Sequence, residues 1–187
     1  MHLAQVRGWT VEGIELNPRT AAYAHAHTGA PVHRVNAHTL ALEGHRYDAV
    51  VLTDVLEHIP EPRRLLAALG GLLEPGGTVA VKVPNGSAQW TKERWLARLT
   101  THRMSLAENL VHVNQFTPRS LVRAIKDAGF PRVEVSAAAP ELPAGNGVRG
   151  MLDGAVRRVM FAAASFPGAV HTPLALHLQA YGTKGHQ

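Results

Sequence analysis

An apolar strand pattern, an amphipathic helix pattern and a second strand pattern follow one another between Tyr47 and Val83. Residues 48–52 are nearly continuously apolar, which predicts a strand buried on both faces, as in parallel sheets. The helix predicted over residues 62–73 is ended by Pro75-Gly76-Gly77, and the next strand is predicted at residues 78–83. This order of strand, helix and strand predicts a parallel sheet covered by helices.

The same alternation extends toward both ends of the chain. Further strands are predicted at residues 9–16, 32–36, 132–136 and 175–181. Further helices are predicted at residues 3–7, 18–28, 87–104, 119–128 and 151–164. Because there is neither a repeat nor a domain-scale linker, we expect residues 1–187 to form a single α/β domain with a doubly wound sheet.

Composition excludes several classes of function. The chain has no cysteine, which excludes disulfides, thiolate metal sites and cysteine nucleophiles. Its net charge is +5, but the basic residues are scattered and do not alternate with aromatic ones, so we expect no nucleic-acid partner. No run approaches the roughly 18 apolar residues of a membrane span, and the start does not resemble a signal peptide. We therefore expect a cytoplasmic protein without a membrane partner.

Ligands of doubly wound sheets bind at the carboxyl ends of the strands, which directs attention to Glu15 and Asn36. A carboxylate at the position of Glu15 can accept hydrogen bonds from both hydroxyls of a ribose. Stabilisation of an acidic side chain by the dipole of the following helix explains the presence of Glu15 equally well. Asn36 can bond to an adenine edge or form a turn. An NAD-binding domain shares the acidic strand end, so Glu15 alone does not identify a cofactor.

The specific signal is the sequence YDAVVLTDVLEHIP at residues 47–60. It resembles the fourth-strand motif of class I S-adenosylmethionine-dependent methyltransferases, which often reads D-V-L-E-H-hydrophobic-P. The sequence LEPGGTVAV at residues 73–81 is similar to the L-x-P-G-G turn and following strand of that family. Residues 112–117, Ser120-Leu121 and Ala128-Gly129-Phe130 resemble the H-x-x-x-F-T, S-L and A-G-F elements of its small-molecule members. The resemblance covers nearly the whole chain.

One feature of the family has no counterpart. The family begins with the central strand and a G-x-G-x-G loop, whose backbone approaches the methionine part of the cofactor. That loop is expected just before Met1, and the only G-x-G here is Gly145-Asn146-Gly147. We therefore expect a Rossmann-like, mostly parallel sheet with its last strand antiparallel, lacking the first strand and the glycine loop. The chain would then be a fragment, a mis-started reading frame or a degenerate relative.

The resemblance implies that S-adenosylmethionine is the cofactor and that the methyl group is transferred to an oxygen atom of a small molecule. The cofactor-binding residues that it implies are Glu15, Leu16, Asn36, Ala37, Thr53 and Asp54. His58, His112 and Asp54 are the candidates for a catalytic base. We expect no metal. The alternative is a divalent cation held by Asp54, Glu57 and His58, as in some ubiquinone-pathway O-methyltransferases that this segment resembles.

Two other functions remain open from the sequence. The chain can be a non-catalytic remnant or an interaction protein that has lost the cofactor. A nucleic-acid methyltransferase is less consistent, because Thr53-Asp54-Val55-Leu56 stands where DNA amino-methylating enzymes carry Asn/Asp-Pro-Pro-aromatic. Without the glycine loop we expect weak cofactor binding or none. Without the central strand we expect a marginal monomer or a homo-oligomer that covers the exposed sheet edge.

Overall fold

The computed structural model describes residues 1–99, 113–139 and 148–185. The helices are α1 (His2–Val6), α2 (Pro18–Thr28), α3 (Ala37–Leu42), α4 (Pro62–Leu72), α5 (Gly86–Leu99), α6 (Pro118–Asp127) and α7 (Val148–Ala164). The strands are β1 (Gly13–Ile14), β2 (Val32–His33), β3 (Tyr47–Thr53), β4 (Leu73–Pro84), β5 (Arg132–Ala137) and β6 (His177–Thr183). Two short 3₁₀ helices lie at Leu56–His58 and Ala169–His171.

The six strands form two sheets. β1 and β2 pair in parallel, and the other four strands follow the order β3-β4-β6-β5. β3 and β4 are parallel, whereas β6 is antiparallel to both of its neighbours. β1 and β2 therefore run in the same direction, and in the four-stranded sheet every strand except β6, the last in the chain, runs in one direction. This confirms the expected α/β sheet with an antiparallel last strand.

β1 and β3 belong to different sheets and do not pair with each other. No strand lies between them among the residues that the structure describes. The two sheets are joined near the start of these strands, where the Tyr47 hydroxyl donates a 2.6 Å hydrogen bond to Glu12 Oε2. β1 and β3 are therefore linked by side chains and not by strand pairing.

The expectation that the third strand is buried on both faces is wrong. Leu52 is buried in β3, but Val51 is 69% exposed and Ala49 and Thr53 are exposed as well. The reason is that β3 is the edge strand of its sheet and is covered on the Leu52 face only. Its sequence is that of an interior strand, whereas its surroundings in the described structure are those of an edge.

Several boundaries also differ from the sequence pattern. β1 has two residues instead of eight, because only Gly13 and Ile14 lie in register opposite residues of β2. β4 begins at Leu73 and contains a bulge, since Tyr47 pairs with Leu73 and Ala49 with Thr78. α3 was not predicted; it spans six residues and follows Asn36, whose side chain caps it.

The hydrophobic core lies between the four-stranded sheet and helices α4 and α6. Its largest fully buried apolar side chains include Leu56, Leu66, Leu72, Leu73, Val79, Val81, Leu121, Ile125, Phe130 and Leu178. Gly182 lets helix α6 approach the sheet closely, because a Cβ there would lie 2.6 Å from Ile125 Cγ2 and 3.0 Å from Val79 Cγ1. In the described part of the chain, no helix is long and apolar enough to cross a membrane.

Candidate active site

The sequence-predicted ligand residues follow the carboxyl ends of neighbouring strands. Glu15 follows β1, Asn36 lies three residues after β2, and Asp54 follows β3 directly. Asn85 follows β4 but is fully buried, and its amide donates a 2.8 Å hydrogen bond to the Ala175 carbonyl. Asn85 therefore has a structural role, and the exposed polar groups of this edge come from β1, β2 and β3.

Glu15 is half-buried and is held by the loop that begins α2. Its Oε1 accepts a 2.7 Å hydrogen bond from the Asn17 backbone N–H, and Asn17 in turn caps the helix by accepting from Arg19 N–H. The contact with Asn17 uses one of about four acceptor positions of the carboxylate, so capacity for ribose hydroxyls remains. The neighbouring Leu16 is 63% exposed and offers an apolar surface beside this carboxylate.

Asn36 acts as the N-cap of α3. Its Oδ1 accepts from the Thr39 backbone N–H at 2.9 Å and from the Thr39 hydroxyl at 3.1 Å. An adenine amino group would compete with these two donors for the same oxygen, whereas the amide NH₂ can donate to a ring nitrogen. The side chain of Ala37 is buried, so Ala37 can contribute to a ligand only through its backbone N–H at the helix N-terminus.

Asp54 bends the chain sharply at the end of β3. It has φ = 52°, and its backbone N–H donates to the Lys82 carbonyl at 3.0 Å. The Lys82 ammonium lies 3.7 Å from Asp54 Oδ2, so the carboxylate is part of an ion pair. A left-handed backbone at a non-glycine residue costs of the order of 1 kcal/mol and is concentrated at functional sites. The preceding Thr53 is exposed at the same edge.

Glu57 and His58 occupy the 3₁₀ helix that follows Asp54. The Glu57 side chain is 2% exposed, and its Oε1 lies 3.9 Å from Nε2 of the exposed His58 imidazole. Asn114 fixes this turn, because its backbone N–H donates to the Glu57 carbonyl and its amide donates to the Ile59 carbonyl. His112 lies outside the described residues, two positions before Asn114, so its role as a base stays a prediction.

The structure does not bring Asp54, Glu57 and His58 together as metal ligands. Over residues 1–99, 113–139 and 148–185, one group of three or more histidine or carboxylate side chains has its ligand atoms within 4.8 Å of one another. It consists of Glu12, His33 and His45.

Sequence reasoning missed the group formed by Glu12, His33 and His45, together with Tyr47. Glu12 lies just before β1, His33 lies in β2 and His45 lies just before β3. No motif or helical spacing therefore indicates that they come together. Hydrogen bonds with Tyr47 and His33 hold the pKa of the Glu12 carboxyl below its usual value. Burial, and then the bond to Glu12, raise the pKa of the Tyr47 phenol.

Comparisons with known proteins agree with this architecture. A family model described as a methyltransferase domain matches residues 1–135. The ubiquinone biosynthesis O-methyltransferase of Cereibacter sphaeroides is 30% identical over 142 residues, which are 68% of this chain and 53% of that protein. The protein of the same name from Leptothrix cholodnii is 34% identical over 131 residues, which are 66% and 56% of the two chains. The chain thus spans about half the length of these curated relatives.

Solved structures show the same fold. A SAM-dependent methyltransferase from Archaeoglobus fulgidus aligns with a TM-score of 0.61 at 12% identity, covering 97% of this chain and 79% of that one. A methyltransferase from Haloferax volcanii, solved in complex with the activator Trm112, also has a TM-score of 0.61, at 17% identity and with 98% and 77% coverage. With the family model matching more than two thirds of its length, the chain belongs to the methyltransferase domain family.

Proposed function

We propose that this chain carries the adenosine-binding edge of an S-adenosylmethionine-dependent methyltransferase that acts on an oxygen atom of a small molecule. The observation that carries the proposal is the half-buried Glu15 carboxylate at the carboxyl end of β1, beside the exposed Leu16. Membership of the methyltransferase domain family supports it, as does the similarity to curated O-methyltransferases.

The described residues fit the adenosine half of this cofactor. Glu15 can accept the two ribose hydroxyls, Leu16 can pack on the base, and the backbone N–H of Ala37 can donate to a ring nitrogen. The methionine half would extend toward Thr53 and Asp54, which follow β3. When bound, S-adenosylmethionine supplies an electrophilic methyl group on a sulfonium.

The protein's own contribution to the reaction is positioning and proton transfer. His58 is exposed at the turn after β3, and a neutral imidazole has the basicity to take a proton from a hydroxyl near pH 7. The nearby Glu57 carboxylate can orient that imidazole. Asp54 is the weaker candidate for a base, because its carboxylate is paired with Lys82.

Binding of the reaction product S-adenosylhomocysteine tests the proposed site. The glycine loop that would hold the methionine half is not among the described residues. We therefore expect calorimetry to show a Kd weaker than micromolar, which corresponds to a binding free energy of less than about 8 kcal/mol in magnitude. Glu15→Ala should weaken binding by about tenfold or more, which corresponds to losing hydrogen bonds to a charged group. Glu43→Ala, an exposed acid on the turn after α3, is the matched control. Equal affinity in Glu15→Ala and the unchanged chain would remove Glu15 from the ribose role.

The base is tested by turnover in a preparation of this protein that shows methyl transfer. Replacing the catalytic histidine, His58 or His112, by Ala should lower turnover by roughly 10²–10⁴ and leave S-adenosylhomocysteine binding nearly unchanged. His27→Ala, on α2, is the control. If both single variants keep full turnover and a chelator has no effect, the protein acts by positioning alone. An amine or carboxylate substrate would then fit better than a hydroxyl.

A methyltransferase-like protein without catalysis is the second candidate. The separation of β1 from β3 favours it, because the edge that binds the cofactor is then divided between two sheets. A folded chain that shows no binding of S-adenosylhomocysteine at millimolar concentration would support this candidate over the first.

A further inference from the structure

A cluster of metal-ligating side chains lies away from the edge described above. Glu12 Oε2 lies 2.8 Å from His33 Nε2 and 3.7 Å from His45 Nδ1. Glu12 comes just before β1 and His45 just before β3, so the cluster lies where these two strands begin. Asp54 is seven residues beyond Tyr47, the first residue of β3, or about 23 Å at roughly 3.3 Å per residue. The cluster is therefore well separated from Asp54, whereas Glu12 and His33 each precede a proposed adenosine-binding residue, Glu15 and Asn36, by three residues or about 10 Å.

The geometry of the three ligand atoms is close to that of a transition-metal site. They all lie within 4.8 Å of one another, and the two imidazole rings meet edge to face at 5.0 Å. Ligand atoms in a tetrahedral zinc site lie about 3.3 Å apart, given zinc–ligand distances of about 2.0–2.1 Å. Since no pair is more than 4.8 Å apart, the atoms would have to close by at most about 1.5 Å, and these side chains are 24–34% exposed, which leaves them room to adjust.

The chemistry of the donors selects the metal. Two imidazoles and one carboxylate suit zinc and its neighbours in the transition series, whereas magnesium and calcium prefer oxygen ligands throughout. Tyr47 completes the arrangement from outside, because its hydroxyl donates a 2.6 Å hydrogen bond to the ligating oxygen of Glu12. A residue that forms a hydrogen bond with a metal ligand, here called an outer partner, orients that ligand and raises metal affinity.

We propose that Glu12, His33 and His45 bind one zinc ion, with water completing the coordination and Tyr47 orienting the carboxylate. The three ligands are contributed by the approach to β1, by β2 and by the approach to β3. The ion therefore fastens the two-stranded sheet to the four-stranded sheet, which share no strand pairing. Its role is structural, and it is independent of the proposed methyl transfer.

The test is a titration of tag-free protein with Zn²⁺ alone against a chromophoric competitor. The expected result is one zinc per chain with a Kd below about 10 μM. A rise in Tm should accompany binding, because zinc binds the folded state. Co²⁺ should give the visible absorption of a tetrahedral nitrogen and oxygen site. His33→Ala, His45→Ala and Glu12→Gln should each lower zinc affinity by about a hundredfold or more, beyond the 10–100-fold loss typical of an outer partner.

Two further variants separate a metal site from an ordinary network of hydrogen bonds. Tyr47→Phe should lower zinc affinity by only about tenfold, as an outer partner does. His27→Ala should leave zinc binding unchanged, because His27 lies on α2 with its Nδ1 bonded to the Tyr23 carbonyl. Glu12→Gln keeps the size of the side chain and one acceptor oxygen for the Tyr47 hydroxyl, so loss of zinc by a Glu12→Gln chain that remains folded is due to loss of the carboxylate. Binding weaker than about 10 μM, or equal binding by Glu12→Gln and the unchanged chain, would overturn the proposal.

Discussion

The four-stranded sheet and the two-stranded sheet are stabilised in different ways. Around the four-stranded sheet, apolar side chains of β4, β6, α4 and α6 interlock in one continuous core. In residues 1–36, all of which are described, only Ala21 and Ala30 are buried apolar side chains. Trp9 and Tyr23 in the same stretch are exposed. Burial therefore stabilises the four-stranded sheet, whereas the β1–β2 sheet depends on polar contacts such as those of Glu12 with Tyr47 and His33.

The proposed ligand-binding residues and the stabilising core lie in different parts of this chain. Glu15 and Asn36, the residues proposed to hold adenosine, lie beside the weakly packed sheet. Functional edges are commonly drawn from the less stable parts of a protein, because ligand binding supplies the missing interactions. Ligands at this edge should therefore stabilise the β1–β2 sheet more than they stabilise the four-stranded core.

The largest effect is expected from truncating a core side chain of the four-stranded sheet. Leu178 is fully buried in β6, so Leu178→Ala should lower the free energy of unfolding by about 2–5 kcal/mol. Leu42→Ala makes the same chemical change at an exposed position of α3 and should cost less than about 0.5 kcal/mol. Urea unfolding measures both variants. Similar losses in the two would mean that the contrast in burial does not govern stability.

A smaller effect is expected at the contact between the two sheets. Tyr47→Phe removes the hydroxyl that donates to Glu12, and in the presence of a chelator it should cost about 0.5–1.5 kcal/mol. Tyr23→Phe, at an exposed position of α2, should be nearly neutral by the same urea measurement. If Tyr47→Phe is as neutral as Tyr23→Phe, this hydrogen bond does not hold the sheets together.

Much of the fold is predictable from sequence because its signals are local. Asn17 and Thr117 stand before prolines at the start of α2 and α6, and both side chains cap their helices as such residues do. The run 48–52 indicates a strand in any context. Its exposure is not predictable, because exposure depends on which other strands lie beside it in space.

Some residues of the candidate sites are likewise predictable from sequence, and others are not. Glu15 and Asp54 are identified because each follows a strand, and the order of strands and helices then places both at carboxyl ends. Glu12, His33 and His45 are 21 and 12 residues apart along the chain, with no shared motif. Only the pairing of β1 with β2 and the approach of β3 bring these three side chains together, and sequence periodicity contains neither.

At the edge after β1, Glu15 is proposed to bind the ribose of adenosine. The most direct test compares adenosine with 2′-deoxyadenosine by NMR titration of the unchanged chain and of Glu15→Ala. The unchanged chain should bind adenosine about tenfold more tightly than 2′-deoxyadenosine, with shifts concentrated at residues 15–17 and 36–37, and Glu15→Ala should lose this preference. Equal affinity for the two nucleosides in the unchanged chain, or a preference that survives in Glu15→Ala, would contradict it.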